Sequence, residues 1–353
     1  MNVNFDLLIS GCNTRCRHCY VNGGPERNMP TKDVLLCIRK LDEIAAHLPF
    51  PASFTLDNEP FNHPDIASII RAASCVSHIE HFHHGMTTGI ALMQRQDKES
   101  AVSAYLECGC SDFGVTLHGN AEHHDEIVRR KDAFQASVKA AEYLKSCGAS
   151  INVSLMFNRH FPTDATEIDA VLHRLQPDFV YFAVPNYTPH SRMIEYESFR
   201  ASLDDLAAVL PYLDKWIQDT AGIMYRASQS TPGAVIKQLE SGLNYQELFR
   251  QEQNELYLSV HQSCMLYMGN TGAETALLGD LRTLDASQLA DALRHSPGNR
   301  DYGAFYDTDC LPEKNALIRA LKQLPPDRMY ADPPSVIYRG LKELQIPTKI
   351  IPI

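Results

Sequence analysis

Short apolar strands alternate with amphipathic helices through the first half of this chain of 353 residues, at intervals of roughly 30 residues. Each strand is followed by a polar loop and then by a helix with apolar residues at helical spacing. Strands separated in this way pair in parallel through right-handed crossovers, so the pattern predicts an α/β protein, either a barrel or an open doubly wound sheet. The six predicted strands span residues 3–9, 52–56, 78–82, 112–117, 151–157 and 179–183.

Polar and reactive side chains follow several of these strands. Three cysteines come after the first strand, Asp57-Asn58-Glu59-Pro60 after the second, and His84 and His118 after the third and fourth. In barrels of parallel strands, functional groups come from the carboxyl ends of the strands and from the loops behind them. Because histidine titrates near neutrality, His84 and His118 are candidate catalytic residues, the alternative being ordinary polar loop side chains.

The segment Cys12-Asn-Thr-Arg-Cys16-Arg-His-Cys19 places three thiols within eight residues, close enough in sequence to bind one inorganic centre. A closed structural zinc site needs four ligands, and iron–sulfur clusters are likewise usually held by four thiolates. Three ligands therefore suggest an iron–sulfur cluster that leaves one iron open. The alternatives are a zinc site that takes His18 as its fourth ligand and plain buried thiols.

The composition narrows the cellular setting and the partners. A formal net charge of −11, without a block rich in Lys or Arg, argues against nucleic-acid binding, which needs a basic surface. The sequence contains 10 cysteines but no secretory leader, no twin-arginine leader and no apolar run of membrane-spanning length. These features favour a reducing cytoplasm, no membrane and a small-molecule or peptide partner.

The spacing of the three cysteines, followed directly by Tyr20, resembles the signature of the radical S-adenosylmethionine (SAM) enzymes. The resemblance spans residues 3 to about 183 and implies a partial (β/α)6 barrel of the TIM type for residues 1–185. It implies a [4Fe–4S] cluster on Cys12, Cys16 and Cys19, with SAM chelated at the open iron. The backbone of Tyr20 is then expected to meet the adenine of SAM.

Further segments resemble the SAM-binding sequences of this family. Asn58-Glu59-Pro60 stands where the family has Gly-Gly-Glu-Pro, so the segment is expected to bind the methionine part of SAM, with Glu59 accepting a hydrogen bond from the ammonium. Asp57 replaces a glycine and is expected to bring its side chain close to the methionine part. The segment around Thr116 resembles the fourth strand of the subgroup of molybdopterin-precursor synthases and peptide-modifying members, which implies ribose contacts from Thr116 and from Ser154.

Residues 186–353 are expected to form a mixed, mostly helical extension that covers the open side of the barrel. Part of it faintly resembles the twitch or SPASM region of related enzymes, which carries auxiliary clusters. Only Cys264 and Cys310 lie in this part of the sequence, and two thiols cannot fill four ligand sites, so a shortened region without metal is expected. Tyr187 and Arg192 follow the sixth strand and are candidate substrate contacts, with Arg192 suited to a carboxylate or phosphate.

The resemblance implies an enzyme that takes one electron from an external flavodoxin or ferredoxin, cleaves SAM to a 5′-deoxyadenosyl radical and abstracts hydrogen from a substrate. We expect a small-molecule substrate, namely a sugar, nucleoside or amino acid, that undergoes dehydrogenation, epimerisation, decarboxylation or rearrangement in natural-product biosynthesis. Because the first strand begins at Val3, no fused leader-peptide domain is expected. The alternatives are modification of a ribosomally made peptide and, in another class, a non-catalytic metal-binding module.

Overall fold

The computed structural model describes residues 1–19, 21, 23–80, 84–189, 191–248, 255–295 and 305–351, apart from a few side chains next to the gaps. Its strands are β1 Asn2–Leu7, β2 Ala52–Leu56, β3 His84–Met86, β4 Asp112–Leu117, β5 Ser150–Met156, β6 Phe179–Ala183, β7 Glu255–Val260, β8 Met265–Met268 and β9 Ala276–Asp280. Its α-helices are α1 Thr31–Ala46, α2 Ile66–Ala73, α3 Ile90–Gln94, α4 Lys98–Glu107, α5 Ala121–Val128, α6 Ala133–Ser146, α7 Phe161–Leu175, α8 Leu203–Leu213, α9 Thr220–Gln229, α10 Pro232–Glu240, α11 Tyr245–Leu248, α12 Ala286–Arg294, α13 Lys314–Leu321 and α14 Pro333–Glu343. Short 3-10 helices span Pro60–Asn62, Ser191–Phe199 and Thr308–Cys310.

Parallel pairing organises the strands into two sheets. One sheet has the order β2-β1-β7-β8-β9, and the other has the order β3-β4-β5-β6. A parallel bridge between Ser53 of β2 and Glu80, shortly before β3, links the two sheets. The parallel strands therefore follow the order β7-β1-β2-β3-β4-β5-β6, and the predicted α/β architecture of alternating strands and helices is confirmed.

The central strands each have one apolar and one polar face. On β1, Val3, Phe5 and Leu7 are fully buried in the core shared with the helices, whereas Asn4 and Asp6 point to the opposite face. The polar faces of the neighbouring strands carry Ser53, Thr55, Asp112, Thr116, Asn152 and Ser154. Because burial of the apolar face fixes the register of each strand, the polar face must turn towards the inside of the barrel.

The chain after β6 returns to the barrel sheet. β7 pairs in parallel with β1 along its whole length, and β8 and β9 follow as antiparallel strands. Ser202 begins the helical part with a capping box that Asp205 closes at the start of α8. A second hydrophobic core, which includes Tyr187, Tyr330 and Leu341, packs the last helices together. Among the helices of the described residues, none combines the length and apolar composition needed to cross a lipid bilayer.

The structure corrects the prediction for the third strand. The predicted strand at 78–82 lies too early, since β3 covers His84–Met86, and residues 81 and 82 lie outside the described part of the chain. β3 is placed by its pairing with Asp112–Gly114 of β4. Gly85 leaves room there for the ring of Phe113, because a Cβ atom at Gly85 would lie 2.7 Å from that ring. The strand propensities of the sequence do not indicate this contact between Gly85 and Phe113.

The buried face of β1 provides a test of the fold. We expect Phe5→Ala to lower the free energy of unfolding by about 3–5 kcal/mol, because it removes a fully buried ring from the centre of the core. Phe179→Ala, at a side chain that is 63% exposed on β6, should change it by less than about 0.5 kcal/mol. Urea unfolding followed by circular dichroism measures both values, and equal effects of the two substitutions would contradict the placement of β1.

Candidate active site

The loop after β1 gathers the three cysteines around one hydroxyl group and one backbone amide. Thr14 Oγ1 lies 3.2 Å from Cys12 Sγ and 3.3 Å from Cys16 Sγ, and Gly23 N donates to Cys19 Sγ at 3.1 Å. No three Cys, His, Asp or Glu side chains of the described residues stand in a ready metal-site geometry. The thiols still share one region, since the charges of Cys19 and Cys12 both raise the pKa of Cys16, after burial as the main cause.

The chemistry of these thiols fits an iron–sulfur cluster. Burial raises the pKa of Cys12 to about 11 and that of Cys16 to about 12, so both are protonated when no cation is bound. A coordinating metal replaces such protons, because a metal-bound thiol is deprotonated outright. Cys12, Cys16 and Cys19 are all free cysteines, and clustered thiolates are the usual ligands of iron–sulfur clusters.

Backbone contacts hold the cysteine loop in one shape. Cys12 N donates to Gly24 O at 2.8 Å, and Asn62 Nδ2 donates to Gly11 O at 2.7 Å. A Cβ atom at Gly11 would overlap the backbone of Gly24 and Glu26, so only glycine fits this close approach. The contact from Asn62 ties the loop to the segment that follows β2.

The carboxylate of Glu59 joins the loops after β2 and β3. It is fully buried and accepts hydrogen bonds from Thr87 Oγ1 at 3.0 Å, from Thr88 Oγ1 at 2.6 Å and from Thr88 N at 2.6 Å. Burial raises the pKa of Glu59, whereas these donors and the backbone of Phe61 lower it. The expected hydrogen bond from the SAM ammonium to Glu59 stays a prediction, because a carboxylate has about four acceptor positions. In this structure, Glu59 positions its neighbours in the chain.

A cavity of about 150 Å³, here called the loop cavity, opens beside the cysteines. Cys16, Asn58, Thr116 and His118 are among the residues that line it. Asn58 has a φ of 65°, a left-handed conformation that asparagine tolerates better than most residues, so it can replace the family's glycine. The buried Oδ1 atom of Asn58 has no hydrogen-bond partner, which leaves an acceptor for a donor group of a bound ligand.

Two other residues predicted to bind SAM lie next to the loop cavity but not in its lining. Ser154 lies opposite Thr116 in the register of β4 and β5, on the same polar face. Pro60 is buried and begins the 3-10 helix at Pro60–Asn62. Tyr20, for which we expected a contact with adenine, lies outside the described residues.

Three histidines meet in the lining of the loop cavity, and His118 and His124 are buried whereas His18 is partly buried. The rings of His18 and His118 are 4.6 Å apart, and those of His118 and His124 are 5.0 Å apart. Burial lowers the pKa of His18 to about 4 and that of His124 to about 3, and it lowers the pKa of His118 well below its ordinary value. The three rings are therefore neutral at pH 7. The Nδ1 atom of His118 is buried without a hydrogen-bond partner.

The other candidate catalytic histidine, His84, lies at the opposite end of the barrel strands. It is the first residue of β3, and its Nδ1 lies 3.2 Å from Asp112 Oδ2 at the beginning of β4. Asp112 and Leu117 are the two ends of β4, about 16 Å apart at the usual rise per residue. We predicted a catalytic role for His84 because we expected it to follow the third strand. This premise is wrong, since His84 is the first residue of β3.

A second cavity of about 440 Å³, here called the interior cavity, lies between the polar barrel face and the extension. Asp6, Thr55 and Asp57 line its barrel side, and Tyr187 lines its extension side. Asp57 is thus directed into the interior cavity and not into the loop cavity, contrary to the sequence-based expectation. The side chain of Arg192, predicted with Tyr187 to contact substrate, lies outside the described residues.

Sequence reasoning missed several of the residues that shape the site. It did not assign Thr87 and Thr88 to Glu59, although a buried carboxylate always needs such donors. It also missed the contact of His18 with His118, since the two residues are distant in the chain. Asp6 carried a usable signal, because it is an acidic residue on the inward polar face of β1.

The Glu59 contacts generate a stability prediction. We expect Glu59→Leu to lower the free energy of unfolding by at least about 2 kcal/mol, because the buried Thr87 and the partly buried Thr88 lose their acceptor. Glu107→Leu is the matched control, since that side chain is 59% exposed and pairs with Arg71 at the surface. The melting temperatures of both variants, measured by thermal unfolding, test this prediction. Equal melting temperatures would show that the Glu59 contacts are not formed.

Comparisons with known proteins agree with this geometry. Residues 7–169 match the family model described as the Radical SAM superfamily. No curated protein matches the chain significantly. Native anSMEcpe with bound AdoMet superposes with a TM-score of 0.54 at 12% sequence identity, covering 97% of this chain and 95% of that chain. At this identity the likeness shows the fold, a partial barrel of the radical SAM type.

Two structures that contain peptides are also similar. Native anSMEcpe with bound AdoMet and the Kp18Cys peptide has a TM-score of 0.52 at 14% identity, covering 84% of each chain. SuiB of Streptococcus suis bound to its precursor peptide SuiA has a TM-score of 0.50 at 14% identity, covering 93% of this chain and 74% of that chain. Residues 7–169 are therefore a domain of the radical SAM superfamily, whose members are enzymes that use a [4Fe–4S] cluster and S-adenosylmethionine.

Proposed function

We propose that the chain catalyses a radical SAM reaction on a substrate held in the interior cavity. The observation that carries this proposal is the position of two consecutive residues. Asn58 lines the loop cavity beside the cysteines, and Asp57 lines the interior cavity. Since consecutive Cα atoms are about 3.8 Å apart, a cofactor in the first cavity and a ligand in the second would be neighbours.

When bound, the cluster and SAM supply a 5′-deoxyadenosyl radical that removes a hydrogen atom from the substrate. The residues of the chain bind, orient and exclude water. Cys12, Cys16 and Cys19 would hold the cluster. The free Oδ1 of Asn58 would accept a hydrogen bond from SAM, and Thr116, which also lines the loop cavity, would contact it. His118 offers a neutral imidazole whose unpartnered Nδ1 can bond to a ligand.

The size of the interior cavity supports a small-molecule substrate. Its volume of about 440 Å³ falls within the range of about 300–1,000 Å³ that is typical of small-molecule sites. Tyr187 and Phe305 of the extension face Asp6 and Thr55 of the barrel across this space. We propose a sugar, nucleoside or amino acid that is dehydrogenated, epimerised, decarboxylated or rearranged, with residues 186–353 acting as the cover.

A peptide substrate is the second candidate, favoured by the structures of similar fold. The anSMEcpe structure contains a bound Kp18Cys peptide, and SuiB is bound to its precursor peptide. In that case one side chain of the peptide would enter the interior cavity. For either substrate the enzyme needs an external reductant, for which we propose a flavodoxin or ferredoxin in the cytoplasm.

The proposed function predicts a specific requirement for the three cysteines of the loop. After anaerobic reconstitution with iron and sulfide, we expect the protein to absorb near 400 nm. With a strong reductant, we expect it to form 5′-deoxyadenosine from SAM at roughly the rate of uncoupled turnover, that is, turnover without substrate. Cys16→Ala should lose both signals, because one of three cluster ligands is removed. Cys75→Ala should keep both, since Cys75 is exposed at the end of α2.

Absence of 5′-deoxyadenosine from a fully reconstituted wild-type protein would overturn the proposed reaction. Zinc bound tightly to the wild-type loop, without a cluster, would favour a non-catalytic metal-binding module. The substrate class is tested separately by the rate of 5′-deoxyadenosine formation. Stimulation by free amino acids, amino sugars or nucleosides supports the small-molecule proposal, and stimulation only by a peptide supports the second candidate.

A further inference from the structure

The interior cavity has an unusual charge for a buried site. Asp6, Asp57 and Asp332 line it, and none of its described lining residues is Lys, Arg or His. Asp6 is only 8% exposed, and its Oδ2 accepts a long hydrogen bond of 3.4 Å from Thr271 N. Within the described chain, no basic side chain lies at ion-pair distance from Asp6 or Asp57. Buried carboxylates without a counter-cation are costly unless a ligand pairs with them.

The basic groups near this cavity already have acidic partners. His261 Nε2 lies 2.7 Å from Glu274 Oε1, and Glu274 is itself buried. Arg339 lies behind the Tyr187 ring, 5.8 Å from its centre, and its Nε is 3.3 Å from Glu197 Oε2. Both basic groups are therefore engaged by other carboxylates, and Asp6 and Asp57 have no basic partner among the described residues.

An independent feature of the same cavity also points to a ligand. Tyr187 lines the cavity and is only 1% exposed, yet its hydroxyl group has no hydrogen-bond partner. Buried tyrosine hydroxyls normally have partners, so this one is set to bond to a molecule that enters the cavity. Tyr187 stands across the cavity from the barrel carboxylates, which gives a ligand two points of attachment.

The remaining wall favours an organic cation over a metal ion. Tyr257, Tyr338 and Phe305 line the cavity along with Tyr187. Aromatic faces attract ammonium and guanidinium groups and also pack against the carbon skeleton that carries them. A divalent metal would instead require several oxygen ligands in a compact shell, and the described residues contain no such group of three acidic side chains.

We propose that the interior cavity binds the protonated amino or guanidino group of the substrate, with Asp6 and Asp57 as its anionic partners and Tyr187 bonding to a polar group of the same molecule. This inference rests on the proposed function and narrows it to amine-bearing substrates such as amino acids and amino sugars. The pKa shifts of the two carboxyl groups agree with this proposal. Burial raises the pKa of both carboxyls, and the charge of Asp57 raises that of Asp6 further, so a cation that enters here stabilises their ionised forms.

The test compares small probes of equal size on the reconstituted, SAM-loaded full chain. The probes are n-butylammonium and the neutral n-butanol, with binding measured by saturation-transfer NMR titration. We expect n-butylammonium to bind at least tenfold more tightly than n-butanol. Asp57→Asn and Asp6→Asn should each reduce n-butylammonium binding about tenfold, as expected for loss of a charged partner. Asp291→Asn, at a surface carboxylate that is 64% exposed, should leave it unchanged.

A stability measurement separates ligand binding from a structural role. If the two carboxylates bind a ligand, Asp57→Asn should raise the melting temperature of the free protein by about 1–3 °C, because a neutral amide replaces a carboxyl that has no cationic partner there. A structural role predicts a lower melting temperature instead. Equal binding of both probes, Asp57-dependent binding of Mg²⁺ or Ca²⁺ in place of n-butylammonium, or a lower melting temperature for Asp57→Asn would each overturn the inference. Failure of the wild type to form 5′-deoxyadenosine would instead count against the proposed function.

Discussion

The buried carboxylate of Glu59 is the contact on which the geometry of the site depends. A carboxylate removed from water requires donors, and Thr87 and Thr88 supply them from the loop after β3. In addition, Ser10 Oγ donates to Glu59 O at 2.7 Å, which ties the same residue to the segment that leads into the cysteine loop. The ends of β1, β2 and β3 are thereby held together. Asn58 is fixed in its left-handed conformation between them, with its acceptor facing the loop cavity.

Because each central strand has one apolar and one polar face, cavities exist beside the loops that Glu59 joins. Helices cover the apolar faces, so the polar faces have to be satisfied inside the barrel. Some of them satisfy one another, as when Asn152 Nδ2 donates to Asp112 Oδ1 at 2.6 Å. Asp6 and Asp57 instead line the interior cavity, together with residues of the extension. The unpartnered atoms Asn58 Oδ1 and His118 Nδ1 lie at the carboxyl ends of the strands, where ligands bind in barrels of this type.

Much of this arrangement could be predicted from the sequence, because it depends on local patterns. Alternation on β1, β2, β4 and β6 located those strands to within two residues at either end, and the spacing of the three cysteines identified the cofactor chemistry. Contacts between residues that are distant in the chain were harder to predict from the sequence. His84 looked like a residue at a strand end only because the strand was placed too early. The opposite directions of Asp57 and Asn58 depend on one positive φ angle, which the sequence permits but does not require.

The central claim is that the cysteine loop and the interior cavity form a single site around SAM. The most direct measurement is a crystal structure of the anaerobically reconstituted protein with SAM and n-butylammonium. We expect a [4Fe–4S] cluster on Cys12, Cys16 and Cys19, SAM in contact with Asn58, and the ammonium group beside Asp57. A zinc ion held by the three cysteines with His18 as its fourth ligand, or SAM bound away from the loop cavity, would contradict that claim.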